Sequence, residues 1–224
     1  MKKEIFVAIN NYMLKMTDGF IHDKTHIYRV TNQALNIAKS YENANIDIII
    51  ASCLLHDIGR YEQYKDNLLC HSEKGAELAY DFLLRLGWQI SECEHVKNCI
   101  ETHSFKKKLH PKSIEAKILF DADKLDMIGA LGISRVLLFK GYMKLPLYIS
   151  DIVDKKDYSN GSFLREYEER LLKVYDCFYT EQAKKIAKER MRLTNLFYHE
   201  LLEGKTLSNL DYLVDSIIED GNLL

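Results

Sequence analysis

Residues 46–59 read IDIIIASCLLHDIG, an apolar run that ends on a histidine and an aspartate. The run is apolar nearly all round, which predicts a helix buried on every side, with Asp47 as its N-cap. His56 and Asp57 stand at the end of this helix. Because buried ionisable groups are costly unless they pair or bind a cation, the stretch predicts a polar site inside a helical core.

The rest of the chain is typical of an all-α protein. It has 2 prolines in 224 residues, and apolar side chains recur at helical spacing over most of its length. Residues 24–41 form one amphipathic helix that carries His26. Further helices are predicted after an N-cap at Ser72, after a Ser91–Glu94 capping box, over 113–138, over 163–178 and 180–203, and from Ser208. The weak pattern over 141–161 predicts a long segment that could cover a substrate.

The composition limits the classes of function. The chain is 47% apolar and 29% charged with a formal net charge of −2, so it has no global basic field for extended nucleic acid. Its longest apolar stretch is far shorter than the roughly 20 residues that span a bilayer, and its first residues do not form a signal peptide. Five cysteines without a Cys-x-x-Cys pattern favour reduced thiols. We therefore expect a cytoplasmic protein that contacts neither a membrane nor extended nucleic acid.

Several ionisable side chains lie at the ends or inner faces of the predicted core helices. They are His26, His56 with Asp57, and the pair Asp121 and Asp123. One shared divalent cation would remove the cost of burying them, and imidazole nitrogen with carboxylate oxygen suits Mn, Fe, Ni, Co or Mg better than structural zinc. Structural alternatives exist for each residue: a hydrogen-bonded core histidine, a helix cap, or an ion pair of Asp123 with Arg60 or Lys124.

Three blocks of sequence resemble the HD superfamily of metal-dependent phosphohydrolases, whose signature is H…HD…D. The blocks are HDKTHIYRV at 22–30, LLHDIGR at 54–60 and DADKLD at 121–126. Two more blocks, HSEKGAE at 71–77 and IGALGISR at 128–135, are similar to a subgroup of small stand-alone HD hydrolases. The resemblance covers about residues 20–135. It implies a single helical HD domain over 1–224, with core motifs at 20–135 and C-terminal helices 163–221 packing on it.

The resemblance also implies a ligand set for one divalent cation. Carried over position by position, the ligands are His26, His56, Asp57 and Asp123. Asp121 is the alternative for the last position, because the Asp-x-Asp pattern offers two carboxylates. His71 and His103 stand where HD enzymes with more metals place extra histidines, and here they resemble substrate-binding or outer groups, with a second metal as the alternative. His22 is interpreted as an outer residue.

The chemistry of phosphate transfer suggests roles for further residues. A bound cation supplies hydroxide at neutral pH and polarises a phosphoryl oxygen, and Asp57 belongs to this catalytic group as a ligand. Arg60 is favoured to bind the phosphoryl oxygens because its planar fork fits phosphate, and Lys124 and the loop 106–108 are further candidates. Asp126 could orient a bound water or accept its proton. An ion pair with Lys124 or Arg135 is the alternative for Asp126.

These observations together predict a phosphohydrolase that uses one divalent cation on a small phosphorylated metabolite, with a nucleotide as the favoured substrate. A pyrophosphohydrolase would split an anhydride and a phosphatase would remove a terminal phosphate, and the sequence does not choose between them. Two other functions fit the same residues: a non-catalytic nucleotide-binding HD module and an HD-type di-iron oxygenase. The C-terminal helices could also form a homodimer.

Overall fold

A computed structural model describes residues 1–17, 24–104, 109–147, 161–207, 214–215, 218–219 and 222–223. Helices account for nearly all of the regular structure in these residues, which confirms the all-α prediction. The α-helices are α1 (Lys3–Thr17), α2 (Lys24–Ala38), α3 (Ile46–Leu55), α4 (Arg60–Lys65), α5 (His71–Arg85), α6 (Ile90–Thr102), α7 (Ile114–Leu125), α8 (Gly129–Tyr142), α9 (Phe163–Glu166), α10 (Leu172–Val174) and α11 (Glu181–Leu207). A short antiparallel ladder pairs Ile218–Glu219 with Asn222–Leu223.

The chain divides into two compact units, which are described separately. Unit 1 contains Met1–Asp126 and Phe178–Ile186, and unit 2 contains Met127–Cys177 and Ala187–Leu224. The expectation of one domain over the whole chain stays a prediction. Within the described residues, no helix combines the length and the apolar character needed to cross a bilayer.

Helix α3 lies at the centre of unit 1. It packs against α1, α2, α5, α6 and α7. The side chains of Ile48, Ile49, Leu54 and Leu55 are at most 1% exposed, as the sequence predicts for this apolar run. Burying each such side chain contributes about 1.5–3 kcal/mol. The central position of α3 therefore places the two residues that follow it, His56 and Asp57, inside the core.

The helix caps lie close to, but not at, the predicted residues. The N-cap of α3 is Asn45, whose side chain accepts hydrogen bonds from the backbone of the first turn, while Asp47 pairs with the amino terminus. The capping box of α6 is formed by Gln89 and Glu92, two residues before the predicted Ser91–Glu94 pair. Both predictions were wrong by two residues because neighbouring polar side chains were equally able to cap.

The predicted helix over 113–138 is two helices. The Ser113 side chain caps α7 by accepting from the backbone of Ala116, but α7 ends at Leu125 with Asp126 as its C-cap. Gly129 opens α8 with φ of 73°, a left-handed conformation that glycine adopts without strain. The interruption leaves Asp126 at the C-terminal end of α7, in the same unit as the HD dipeptide.

Unit 2 contains a helical stretch that changes its winding. The predicted helix over 163–178 begins as α9, continues as a π-helix (Tyr167–Leu171) and α10, and ends as a 3₁₀ turn (Tyr175–Cys177). Stacking of Tyr167 on Tyr198, with ring centroids 4.0 Å apart, fixes this stretch to α11.

The sequence did not predict α1 or α4. Most of the predicted 141–161 segment and the start of the helix predicted from Ser208 lie outside the described residues.

Candidate metal centre

His56 and Asp57 form the base of the centre, and both are at most 1% exposed. The Nδ1 atom of His56 lies 2.7 Å from the carbonyl oxygen of Cys53, which can only accept a hydrogen bond. Nδ1 therefore carries the proton, and the lone pair of the ring is at Nε2. That Nε2 atom lies 3.6 Å from Oδ2 of Asp57.

His26 reaches the same place from α2. Its Nε2 atom lies 3.8 Å from Oδ2 of Asp57 and 3.4 Å from Oδ1 of Asp123. On the other side of the ring, Nδ1 lies 2.7 Å from Oδ2 of Asp126. Arg29 donates to both oxygens of Asp126, from Nε at 2.9 Å and from a terminal nitrogen at 3.0 Å. The Arg29–Asp126 pair thus fixes the His26 ring so that Nε2 faces the centre.

Asp123 brings the fourth side chain, from the last turn of α7. Its Oδ1 atom lies 3.9 Å from Nε2 of His56, and its Oδ2 atom accepts from Nζ of Lys124 at 2.6 Å. Burial by itself would raise the pKa of Asp123, but Lys124, His26 and His56 together hold it well below its ordinary value. Asp123 is therefore an ionised, nearly buried carboxylate.

Asp121 has a different environment, although it lies only two residues earlier. Its carboxylate accepts from the backbone N–H of Tyr179 at 2.9 Å and from the backbone N–H and hydroxyl of Thr180 at 2.7 and 2.6 Å. These groups immediately precede α11, so the carboxylate lies at the positive end of that helix. Of the two alternatives for the last ligand position, the structure brings Asp123 to the centre and Asp121 to this contact, which we name the Asp121 cap.

The other oxygen of Asp57 faces a second group of side chains. Arg60 donates from Nε to Oδ1 of Asp57 at 2.9 Å, and the Nε2 atoms of His71 and His103 each lie 3.7 Å from the same oxygen. We name Arg60, His71 and His103 the Oδ1 group. His103 lies 2.5 Å from the carbonyl oxygen of Ile100 through Nδ1, so its Nε2 also carries the lone pair.

Helix α5 begins at His71, one residue before the predicted cap Ser72, and it lies directly against the turn after Asp57. A Cβ atom on Gly59 would fall on the carbonyl oxygen of His71 and 2.5 Å from the backbone nitrogen of Gly75. Glycine is thus required at position 59 for the two backbones to approach. This contact sets the distance between the HD dipeptide and His71.

The donor atoms fit a divalent cation. One ligand atom from each of His26, His56 and Asp123 lies within 4.8 Å of the others, and the same holds for His56, Asp57 and His103. Among the described residues, Nε2 of His56, His71 and His103 has no hydrogen-bond partner although each atom is buried. Burial lowers the pKa of His56 to about 4. Burial, and then the charge of Arg60, lower that of His71 to about 2. These two imidazoles are therefore neutral at pH 7, the state in which imidazole binds a metal.

The remaining predicted site residues are Lys124, Asp126, His22 and the loop 106–108. Lys124 contacts Asp123, and His26 and Arg29 contact both oxygens of Asp126. The expected role of Asp126, to orient a bound water or accept its proton, stays a prediction. His22 and the loop 106–108 lie outside the described residues. Arg29 was given no role in the site from the sequence. Its spacing of three residues from His26, on the same face of a helix, was the available signal.

Comparison with known proteins identifies a family and several relatives of this chain. Residues 24–128 match the model of the HD domain family. YpgQ from Bacillus subtilis is 30% identical over 184 residues, which cover 80% of this chain and 82% of YpgQ. The crystal structure of an HD-superfamily hydrolase from Bacillus thuringiensis is 27% identical with a TM-score of 0.69, and it covers 91% of this chain and 98% of that one.

A second solved structure is that of Bacillus subtilis YpgQ in complex with ADP. It is 27% identical, covers 89% of this chain and 97% of that one, and has a TM-score of 0.69. The family match spans the HD dipeptide and every side chain of the centre described above. The resemblance read from the sequence blocks is thereby confirmed. This chain belongs to the HD superfamily, which includes solved structures described as hydrolases.

Proposed function

We propose that this protein is a metal-dependent phosphohydrolase that acts on a small phosphorylated metabolite, with a nucleotide as the substrate class. The observation that carries the proposal is the buried cluster of His26, His56, Asp57 and Asp123, whose donor atoms converge around a common point. The nucleotide is supported by the YpgQ complex with ADP. The hydrolase class is supported by the HD-superfamily membership.

The four clustered side chains would hold one divalent cation, of Mn, Mg, Fe, Co or Ni. When bound, such a cation generates hydroxide from water at neutral pH and polarises a phosphoryl oxygen. His26 and His56 would bind it through Nε2, since the Nδ1 atoms are already directed to Asp126 and to the carbonyl of Cys53. The carboxylates of Asp57 and Asp123 would complete the set.

The charges around the centre favour an anionic substrate. Each carboxylate has a basic partner: Arg60 at Asp57, Lys124 at Asp123 and Arg29 at Asp126. The charges of these acidic and basic side chains therefore cancel, and the neutral imidazoles of His56 and His71 add no charge. A bound dication would leave its positive charge uncompensated, which attracts phosphate oxygens.

The Oδ1 group would provide the contacts to the substrate, together with Lys124. The side chain of Arg60 is 28% exposed, whereas those of His71 and His103 are at most 3% exposed. Arg60 can therefore meet an incoming phosphate at the edge of the centre, and the two histidines line its interior. A guanidinium offers fixed, planar N–H donors that match the oxygens of phosphate.

The experiment that tests the function combines metal content with bond cleavage. Protein purified without a chelator is analysed for metals, and release of phosphate and of pyrophosphate is measured on a nucleotide panel with added Mn, Mg, Co or Ni. We expect bound metal and release of one of the two products, which also names the bond. Asp57→Ala should lose both, and Asp121→Asn is the matched control because its carboxylate is buried outside the centre.

Three results would contradict the proposal. Two irons per chain without any release would favour the di-iron oxygenase. Nucleotide binding without metal or turnover would favour a regulatory binding module. Turnover retained by Asp57→Ala would show that the chemistry does not depend on this centre.

A further inference from the structure

The Oδ1 group contains the donors of a second cation site and, in the same place, a fixed positive charge. The Nε2 atoms of His71 and His103 each lie 3.7 Å from Oδ1 of Asp57, and all three residues are buried. The Nε2 atoms of His71 and His103 have no hydrogen-bond partner among the described residues. Buried imidazole nitrogens beside a carboxylate oxygen are also the features that support the first cation, on the Oδ2 side of Asp57.

The two sides of Asp57 differ in what already contacts the carboxylate. On the Oδ2 side two imidazoles approach the carboxylate, His26 at 3.8 Å and His56 at 3.6 Å. On the Oδ1 side Arg60 donates from Nε at 2.9 Å, closer than either histidine of that side. A guanidinium is always charged in proteins, so it delivers a permanent positive charge to the oxygen that a second metal would share.

We propose that the Arg60 guanidinium occupies the place of a second metal ion and limits this centre to one cation. Removing it uncovers a second cation site formed by Asp57, His71 and His103. The inference rests on the proposed function, because it presupposes the first cation. Arg60 would then limit the number of bound metal ions in addition to binding phosphate, because its positive charge is permanent.

The position of Arg60 near the surface allows the proposal to be tested by substitution. Arg60 is the first residue of α4, a helix with no buried residues, and it lies three residues after Asp57. Its guanidinium is thus held by Asp57 rather than by packing in the core. Replacing it by glutamine removes the charge without opening a cavity, so the variant should fold.

The test compares metal number in the wild type with that in Arg60→Gln. Mn²⁺ binding is titrated by calorimetry, and the loaded proteins are analysed for metal after gel filtration. We expect about one Mn²⁺ per chain in the wild type and about two in Arg60→Gln, the number found in centres that share a bridging ligand. Low-temperature EPR of loaded Arg60→Gln should show an exchange-coupled Mn²⁺ pair that the wild type lacks.

Three further variants make the result specific. Arg60→Lys keeps the charge and should stay at about one Mn²⁺, and Arg85→Gln, an exposed arginine of α5, should also stay at about one. The double variant Arg60→Gln/His103→Gln should return to about one, because it removes a donor of the uncovered site. If Arg60→Gln does not fold, Arg60→Met provides the same comparison with an uncharged side chain of similar length.

The outcomes separate this inference from the proposed function. A wild type that binds no metal would contradict the proposed function itself. A wild type with about one Mn²⁺ and an Arg60→Gln that also binds about one would overturn the role of Arg60 and leave the function intact. A wild type that already binds about two, or a double variant that keeps about two, would overturn the inference as well.

Discussion

Unit 1 contains two buried polar regions that differ in how their atoms are satisfied. In the Asp121 cap, the carboxylate accepts three hydrogen bonds from Tyr179 and Thr180. In the metal centre, Nε2 of His56, His71 and His103 has no partner among the described residues. Both regions are buried to a similar degree, so burial does not distinguish them. A satisfied polar group stabilises the fold, whereas buried donor atoms without partners mark the place of a ligand.

Helix α7 shows the difference most clearly, because it supplies one carboxylate to each region. Two residues along an α-helix are separated by roughly 200° around its axis, so Asp121 and Asp123 point in nearly opposite directions. Asp121 meets the backbone before α11, and Asp123 meets His26 and His56. One helix therefore links the ligand site to the scaffold, and substitutions at these positions should separate stability from function.

The largest effect is expected from Asp57→Ala. This side chain lies between both groups of histidines, so its loss should lower metal affinity and turnover by more than about 100-fold, beyond the 10- to 100-fold cost of losing an outer partner of a metal ligand. Calorimetric titration with Mn²⁺ and product release measure the two losses. The far-ultraviolet circular dichroism should stay helical, and a variant that unfolds would show that Asp57 serves the fold as the Asp121 cap does.

Asp121→Asn should have the opposite result. The amide keeps one acceptor oxygen where the carboxylate has two, so at least one of the three donors loses its acceptor, which we expect to lower the free energy of unfolding by about 2 kcal/mol. Urea denaturation of the metal-free protein measures the loss. Metal number and turnover of the folded variant should match the wild type, and a loss of bound metal at unchanged stability would place Asp121 in the centre after all.

Asp126→Asn should change the centre without removing a ligand. Because Asp126 accepts from His26 Nδ1 and from Arg29, the amide leaves the His26 ring less firmly oriented, and Mn²⁺ affinity should fall by about 10- to 100-fold. Long-range ¹H–¹⁵N NMR of the metal-free protein should show the His26 tautomer shifting from the single Nδ1-protonated form. An unchanged tautomer with lower stability would mean that Asp126 acts only in the fold.

The smallest effect is expected at Glu115, a second satisfied carboxylate. Burial would raise its pKa, but the backbone N–H of Asn45 and its other partners hold the pKa below the ordinary 4.5. The ionised form is thus favoured by folding, so its contribution is present above pH 4.5 and is lost as the pH falls through the folded pKa. Glu115→Gln should cost about 1 kcal/mol at pH 7. The difference from wild type in urea denaturation should shrink towards pH 3, and a difference that stays constant with pH would exclude the charge as its cause.

The sequence allowed the buried helix before the HD dipeptide to be predicted, because an apolar run with no polar face can only be a core element. The convergence of His26 on Asp57 came from the family resemblance. The choice between Asp121 and Asp123 could not be made from the residues, since both follow the same apolar run and the partner of Asp121 lies 58 positions away. The break after Leu125 was missed because the apolar pattern continues through it into α8.

The contact of Gly59 with the start of α5 bears on how much sequence change this fold tolerates. The turn after the HD dipeptide and the first turn of α5 meet through backbone atoms, so no side-chain adjustment can absorb an added methyl group. Gly87, which also lies in a turn, has open space where its Cβ would be, although its φ of 83° still favours glycine. In a saturation library, position 59 should therefore accept one amino acid, and even alanine there should abolish the proposed activity by displacing His71, without contacting any of the four side chains proposed to bind the cation.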